Sequence, residues 1–427
     1  MELKPGYKRT ELGVIPEDWT ISRIDDLCEC SSGTTPARAL HDRYYRNGSI
    51  PWVKTLDLNN GAINITSECV TDSAIEETCL KIFPAGTVLV AMYGGFQQIG
   101  RTGLLQIAAA VNQAITAIRI HSDQILSEYL LATLNHRVSY WRAIASSSRK
   151  DPNITRNDVR SFPIAFPSAT EQNNIGIALS DVDSLLERLE RLIAKKRDLK
   201  QAAMQQLLTG KTRLPGFTGE WQPKTLGELG AIYGGLSGKT KEDFGDGEGL
   251  FVTFMNVMSN VRINCESFER VRILPAESQN RVQKGDLLLN GSSETPEEVA
   301  LCSVVDKDVP DLFLNSFCFG FRFYDETQAD ALFIALYLRS REGREIIKLL
   351  AQGSTRYNLS KPALLKSIMR LPQPKEQIAI AAVLTDMDTE LAALEQRLAK
   401  TRDLKQAMMQ ELLTGKTRLV TLEAIHA

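Results

Sequence analysis

From Ile175 onward, apolar residues fall at Leu179, Val182, Leu186, Leu189 and Ile193, a spacing that alternates four and three. That alternation is the seam of a helix packed lengthwise against another helix. The same spacing returns at Ile380, Leu384, Met387, Leu391, Leu394 and Leu398. Both seams break, at Lys196 and Thr401, and are expected to resume at Leu199, Ala203 and Leu207 and at Leu404, Met408 and Leu412. Gly210 and Gly415 then stand where C-capping glycines belong. Each helix spans roughly 38 residues, about 57 Å at 1.5 Å per residue. Neither is apolar all round, so each needs a partner along its stripe. The economical arrangement is an antiparallel coiled coil between the two; the alternative is that each folds back on its own globular part.

Elsewhere the apolar residues come in short runs. GTVLVAMY (Gly86–Tyr93) and GDLLLNG (Gly285–Gly291) read as strands, and longer stretches from Ser127 and from Ala331 read as helices. Gly-rich turns precede them at Ser31 (SSGTTP) and Gly234 (GGLSGKT). The fold class is therefore α+β.

The two helical stretches are copies of each other. KKRDLKQAAMQQLLTGKTRL from Lys195 lies on KTRDLKQAMMQELLTGKTRL from Lys400 with three mismatches and no gap. The same offset pairs Glu171-Gln172 with Glu376-Gln377, Asp181 and Asp183 with Asp386 and Asp388, and Asn153-Ile154-Thr155 with Asn358-Leu359-Ser360. A weaker echo runs upstream, setting Trp19 with Trp221, PAGTVLVAMYGG with QKGDLLLNGSS, and VNQAI at Val111 with LNSFC at Leu314. A period of roughly 200 residues means duplicated domains, since solenoid repeats run at about 20–50. The organisation is read as a globular part with an N-terminal arm (1–160), a spacer helix (161–214), a second globular part (215–367), and a second spacer helix with its tail (368–427). A pseudo-twofold relation between the copies is expected.

Composition narrows the class. Hydrophobic residues make up 43% and charged residues 24%, ordinary for a soluble globular chain. No apolar run is long enough to span a membrane. Seven scattered cysteines without a CxxC pair read as reduced thiols, so a cytoplasmic location is expected. The net charge of −2 does not advertise a nucleic-acid binder, yet cations cluster at the helix ends and beside small polar residues in SSSRKDPN and GSTRYN.

Catalytic signatures fail one by one. In YGGLSGKT a phosphate loop would need glycine at Tyr233, and both TGKT copies end helices instead of starting them. The four histidines are scattered without metal or triad spacing, and there is no HExxH or NPPY-type tetrapeptide. The sequence reads as a binder, not an enzyme, with no metal site.

Two divergent globular parts on two near-identical long helices, the EQ segments after Pro167 and Pro372, and the RDLKQAMMQELLTGKTRL tail together resemble the specificity subunit of type I restriction-modification enzymes. GTTP followed by GSIPWVKTLDLNNG (Gly33 to Gly61) and NQAI at Asn112 resemble the opening of its target-recognition domains. The resemblance implies two target-recognition domains, each reading one half of a split site in double-stranded DNA, with the helices setting the gap. It implies two methyltransferase subunits carrying S-adenosylmethionine and two restriction/translocase subunits using ATP and Mg. It implies no cofactor on this chain and no membrane partner. The rival reading is a coiled-coil scaffold whose two domains bind other ligands without DNA specificity.

Bases are read by polar and cationic side chains. By residue type, and by loop position at matched places of the repeat, the candidates in the first copy are Thr34, Thr35, Arg38, Lys54, Tyr93, Gln97, Gln98, Arg101, Arg149 and Lys150. In the second they are Ser237, Lys239, Lys241, Asn256, Asn290, Ser292, Ser293, Thr355, Arg356 and Tyr357. Trp19 and Trp221 are read as packing residues.

Overall fold

A computed structural model describes residues 3–146 and 153–420, so Arg149 and Lys150 lie outside the described residues. The chain divides into two compact units, Met1–Glu190 with Arg397–Ala427, and Arg191–Gln396. Both divisions fall inside a long helix. Each unit thus combines one globular part with a portion of both helices.

In the first unit a five-stranded sheet has the order Cys28–Ser32, Ile115–Ile120, Val88–Ala91, Thr102–Leu105, Gly61–Ile63, antiparallel except for the last pair. Val88–Ala91 is buried at every residue, as a strand without polar alternation must be when both its faces are covered. Its alternate residues feed different cores. Val88 and Val90 join Tyr129, Leu130 and Trp141 of the helices Ser127–His136 and Val138–Ser146, whereas Leu89 and Ala91 join Val53, Val111 and Ala117. A four-stranded sheet of Cys69–Val70, Ile50–Val53, Ala109–Val111 and Ile82–Phe83 adjoins this second core.

The second unit has the sheet order Gly230–Gly234, Cys318–Phe323, Leu287–Asn290, Cys302–Val304, all antiparallel. Leu287 and Leu289 again face one core and Leu288 another. Phe333, Ile334 and Leu338 of the helix Ala331–Arg339 fill the first of these. The local topology of the first unit's larger sheet is thus repeated strand for strand along its first four members.

The long helices are Ala169–Leu207 and Pro374–Leu412, 39 residues each. In the first unit they run antiparallel, joined by Asp183–Lys405 (2.5 Å) and Glu190–Arg402 (2.6 Å). In the second unit Lys196–Glu390 (2.7 Å), Arg197–Glu395 (2.6 Å) and Lys200–Asp388 join them in the same sense. At the repeat offset of the sequence, Asp183–Lys405 answers Asp388–Lys200, and Glu190–Arg402 answers Glu395–Arg197. Such exposed pairs each contribute only about 0–1 kcal/mol, so they set register more than stability. The apolar seam does the rest. Leu179, Leu189, Leu384 and Leu391 are buried, and Val182, Leu186, Met387 and Leu394 are half-buried.

One seam expectation is corrected. Leu199 and Leu404 are 47% and 55% exposed, so the stripe does not resume at them. Across the break the inward positions are taken by Thr401 and by the half-buried stems of Lys196, Lys200 and Lys405, whose ammonium groups end on the carboxylates just named. A long aliphatic stem covers apolar surface while its charged tip stays wet.

The turn that follows each helix closes on a glycine in the left-handed region, Gly210 at φ 71° and Gly415 at φ 69°. A Cβ on Gly210 would lie 3.1 Å from Trp221, and one on Gly415 would lie 2.4 Å from Pro16. The tails beyond are clasped by the repeated Glu-Gln pair. In the first unit Arg418 donates to both oxygens of Glu171 (2.8 Å each) and to Asp18, while the Leu419 N–H also donates to Glu171. In the second unit Arg213 makes the equivalent pair with Glu376 (2.5 Å). Gln172 and Gln377 each donate to the carbonyl of the proline five residues earlier, Pro167 and Pro372, and accept from the backbone N–H of Leu126 and Asp330. This is why EQ and KTRL recur together in the sequence.

Candidate nucleic-acid interface

In the first unit the loop after Val88–Ala91 carries four candidates. It is a tight turn: the N–H groups of Gln98 and Ile99 both donate to the Gly95 carbonyl (3.0 Å each), and that of Gly100 to Ala91 (3.0 Å). Gly100 sits at φ 75°, and a Cβ there would lie 2.4 Å from the Trp141 ring, so only glycine lets the loop close onto its helix. Ile99 is buried beneath it, leaving Tyr93, Phe96 and Gln97 exposed. Half-buried Arg101 donates to Gln98 Oε1 (3.0 Å).

A second group gathers around Trp52. The Arg38 guanidinium lies 4.2 Å from the Tyr45 ring centroid and 5.1 Å from that of Trp52. It is bonded to both oxygens of Glu68, which also receives Lys54 (3.0 Å). The hydrogen-bonded Arg38, and after it Lys54, hold the Glu68 carboxyl down at about 2, so it stays ionised at working pH. Arg38 and Lys54 therefore share one anion, and meeting a base edge or phosphate means giving it up. Thr34 donates to the Cys79 carbonyl (3.4 Å), and its own carbonyl accepts from the Trp52 indole (3.3 Å). Thr35 is half-buried beside it.

In the second unit five candidates are structural. Asn290 is fully buried: its Nδ2 donates to the carbonyls of Ser292 and Glu298, and its Oδ1 accepts from the Leu301 N–H (2.7 Å). Asn256 is buried too, with its Nδ2 on the Asn264 carbonyl (2.8 Å) and its Oδ1 on the Asn264 N–H (2.9 Å). Ser292 and Ser293 are buried and pair with the strand Tyr357–Leu359. The Lys239 side chain is 4% exposed and ends on Glu277 (2.5 Å), which also disposes of the phosphate-loop motif. Buried polar groups must find partners inside the protein, and these have done so. Replacing Asn290 with alanine is expected to cost about 2–3 kcal/mol by orphaning the groups it serves; urea unfolding measures it, and a loss under about 0.5 kcal/mol contradicts the assignment.

The other candidates are Lys241, Thr355 and Arg356, all exposed, half-buried Tyr357, and Ser237, whose N–H donates to Gln279 (3.1 Å). Arg356 donates from Nε to Ser292 Oγ (3.0 Å), and its guanidinium lies 5.7 Å from the Phe317 ring. Phe317 is 59% exposed on a turn whose Asn315 Oδ1 accepts the Phe317 N–H (2.8 Å). Asn112 folds the matching turn of the first unit by accepting the Ala114 N–H (3.2 Å). Sequence reasoning missed Phe317 and Phe96, although the matched VNQAI and LNSFC segments marked the first of these turns.

The type I restriction modification DNA specificity domain, as a sequence family, matches residues 16–196 and again 218–401. The type I restriction enzyme MjaIX specificity subunit of Methanocaldococcus jannaschii is 25% identical over 313 residues, 68% of this chain and 70% of the relative. The EcoR124I/EcoR124II specificity subunit of Escherichia coli is 24% identical over 180 residues, 42% of this chain and 44% of the relative. Among solved structures, the S subunit of the type I restriction-modification system of M. genitalium aligns with a TM-score of 0.56 at 15% identity, covering 96% of this chain and 98% of that one. That likeness concerns the fold. With two copies of the family domain spanning most of its length, this chain belongs to the type I restriction-modification DNA specificity family.

Proposed function

We propose that the chain is the DNA-reading subunit of a type I restriction-modification complex. Each globular part recognises one half of a bipartite site in double-stranded DNA, and the long helices set the gap and dock two methyltransferase subunits. Methyl transfer from S-adenosylmethionine, and ATP- and Mg-dependent translocation and cleavage by two restriction/translocase subunits, belong to those partners, and the chain itself is non-catalytic. The observation that carries the reading is the double match of the specificity domain, one copy per globular part. A stiff spacer between two readers fixes the half-site separation as dimer geometry does elsewhere. Sequencing the methylome of a host that carries the complete system tests it: two short half-sites with a fixed gap are expected, and the absence of sequence-dependent methylation overturns it.

Arg356 is the first residue to test within this reading. Its exposed guanidinium, steered by Ser292 and the Phe317 ring, suits a bidentate base contact. Arg356→Ala is expected to weaken cognate binding by roughly 1–3 kcal/mol and relax one position of the second half-site. Wild-type affinity at matched salt removes it from the interface.

A further inference from the structure

The candidate reading loop of the first unit is one wall of a recess of about 340 Å³, and the opposite wall is the last part of the second long helix. Four cations line it: Arg101 from the loop, Arg142 from the helix Val138–Ser146, and Arg402 and Lys405 from the long helix. Gln97 and Gln406 face it from opposite sides, and no carboxylate among the described residues lines it. Among the described residues Arg402 and Lys405 each have one carboxylate partner, Glu190 and Asp183, whereas the Arg101 guanidinium bonds the neutral Gln98. Arg142 is exposed and has no hydrogen-bond or ion-pair partner among the described residues. Among the described residues four positive charges thus stand against two negative ones.

This charge is not a by-product of the repeat. On the first long helix the equivalent residues Arg197, Lys200 and Gln201 line a recess of the second unit that also holds Asp388 and Glu395, and is neutralised from within. The rim of the first unit's recess is also built to keep its shape. Asn135 donates to the Asn60 carbonyl (2.8 Å) and accepts from Thr102, while Asn60, at φ 62°, accepts the Thr102 N–H (3.1 Å).

We infer that this recess seats a phosphate group of the DNA backbone, so that the second long helix contributes to DNA binding directly as well as to spacing. Four cationic donors line it with neutral amides and no carboxylate among the described residues, which suits the non-bridging oxygens of a phosphodiester. The same loop presents Tyr93 and Phe96 to solvent, making the recess continuous with the candidate reading surface. The inference rests on the DNA-reading function proposed above.

The test uses the full chain and two duplexes, one carrying the methylated site and one scrambled, titrated by fluorescence anisotropy at several salt concentrations. Arg142→Gln is expected to weaken both duplexes by the same factor and to reduce the slope of log K against log salt by about 0.9, the share of one phosphate. Gln406→Glu, which adds a carboxylate to the recess, is expected to weaken both about tenfold or more. Both positions are exposed, so unchanged thermal melting identifies folded variants. Wild-type affinity and slope in both variants overturn the inference. So does loss of methyltransferase-subunit capture with duplex binding intact, which assigns the recess to an acidic protein surface. Calorimetric binding of inorganic phosphate that Arg142→Gln abolishes while duplex binding is unchanged assigns it to a free anion and overturns it likewise. If the wild type does not prefer its methylated site, the functional reading fails instead, and the slopes still decide the recess.

Discussion

Replacing Arg418 with alanine is expected to destabilise the protein by about 3–5 kcal/mol, the cost of removing one partner from a buried ion pair. Glu171 is 1% exposed and receives two bonds from Arg418 and one from the Leu419 N–H. Without the guanidinium its charge stays in a water-poor site with a single donor. Arg418 is itself partly exposed, so water entry places the loss toward the lower end of that range. Arg213→Ala should act alike in the second unit, where Glu376 is equally buried. Urea unfolding followed by circular dichroism measures both. The double variant Glu171→Gln with Arg418→Ala should recover part of the loss, because a neutral amide is cheaper to bury than a carboxylate. A single-variant loss under about 1 kcal/mol would mean that water replaces the arginine.

The second large effect concerns specificity. Exchanging residues 24–162 for the corresponding segment of another family member should replace one half of the recognised site and leave the other half and the gap unchanged. These limits keep the Thr20–Arg23 and Pro163–Phe166 ladder, which leads into the long helix, intact. Affinity for the original site should fall toward the non-specific level, roughly a thousandfold or more, since mismatched positions add. Methylome sequencing of the chimera reads the outcome. A change in both halves, or in the gap, contradicts one reader per globular part.

The large features were legible because they follow from spacing. The alternation of four and three located both long helices, Gly210 and Gly415 marked their ends, and the unbroken apolar runs at Val88 and Leu287 gave central strands. What spacing misses is substitution in kind. Extending the heptad count past Lys196 and Thr401 put Leu199 and Leu404 inward, whereas lysine stems with carboxylate-bound tips fill that place. Five candidate readers chosen by residue type lie engaged inside the fold for a related reason. An asparagine whose amide is spent on backbone groups of neighbouring segments, as in Asn256 and Asn290, has the same letter as one offered to solvent. Arg356 is exposed, and its neighbour Phe317 escaped the choice because phenylalanine was not among the residue types sought.

The clasp between Glu171 and Arg418 joins residues 247 positions apart in the chain. Ribosomes deliver the amino end first, and domains ordinarily fold in that order. Here the earlier-made unit lacks the closing strip of its core, Met408, Leu412 and Leu413, until the second long helix has been synthesised. The second unit receives its equivalent strip, Met204, Leu207 and Leu208, before its own sheet is made. Of the two units, the one begun first is therefore the one completed last, and a nascent chain stalled before residue 400 would hold that core open for chaperones to cover.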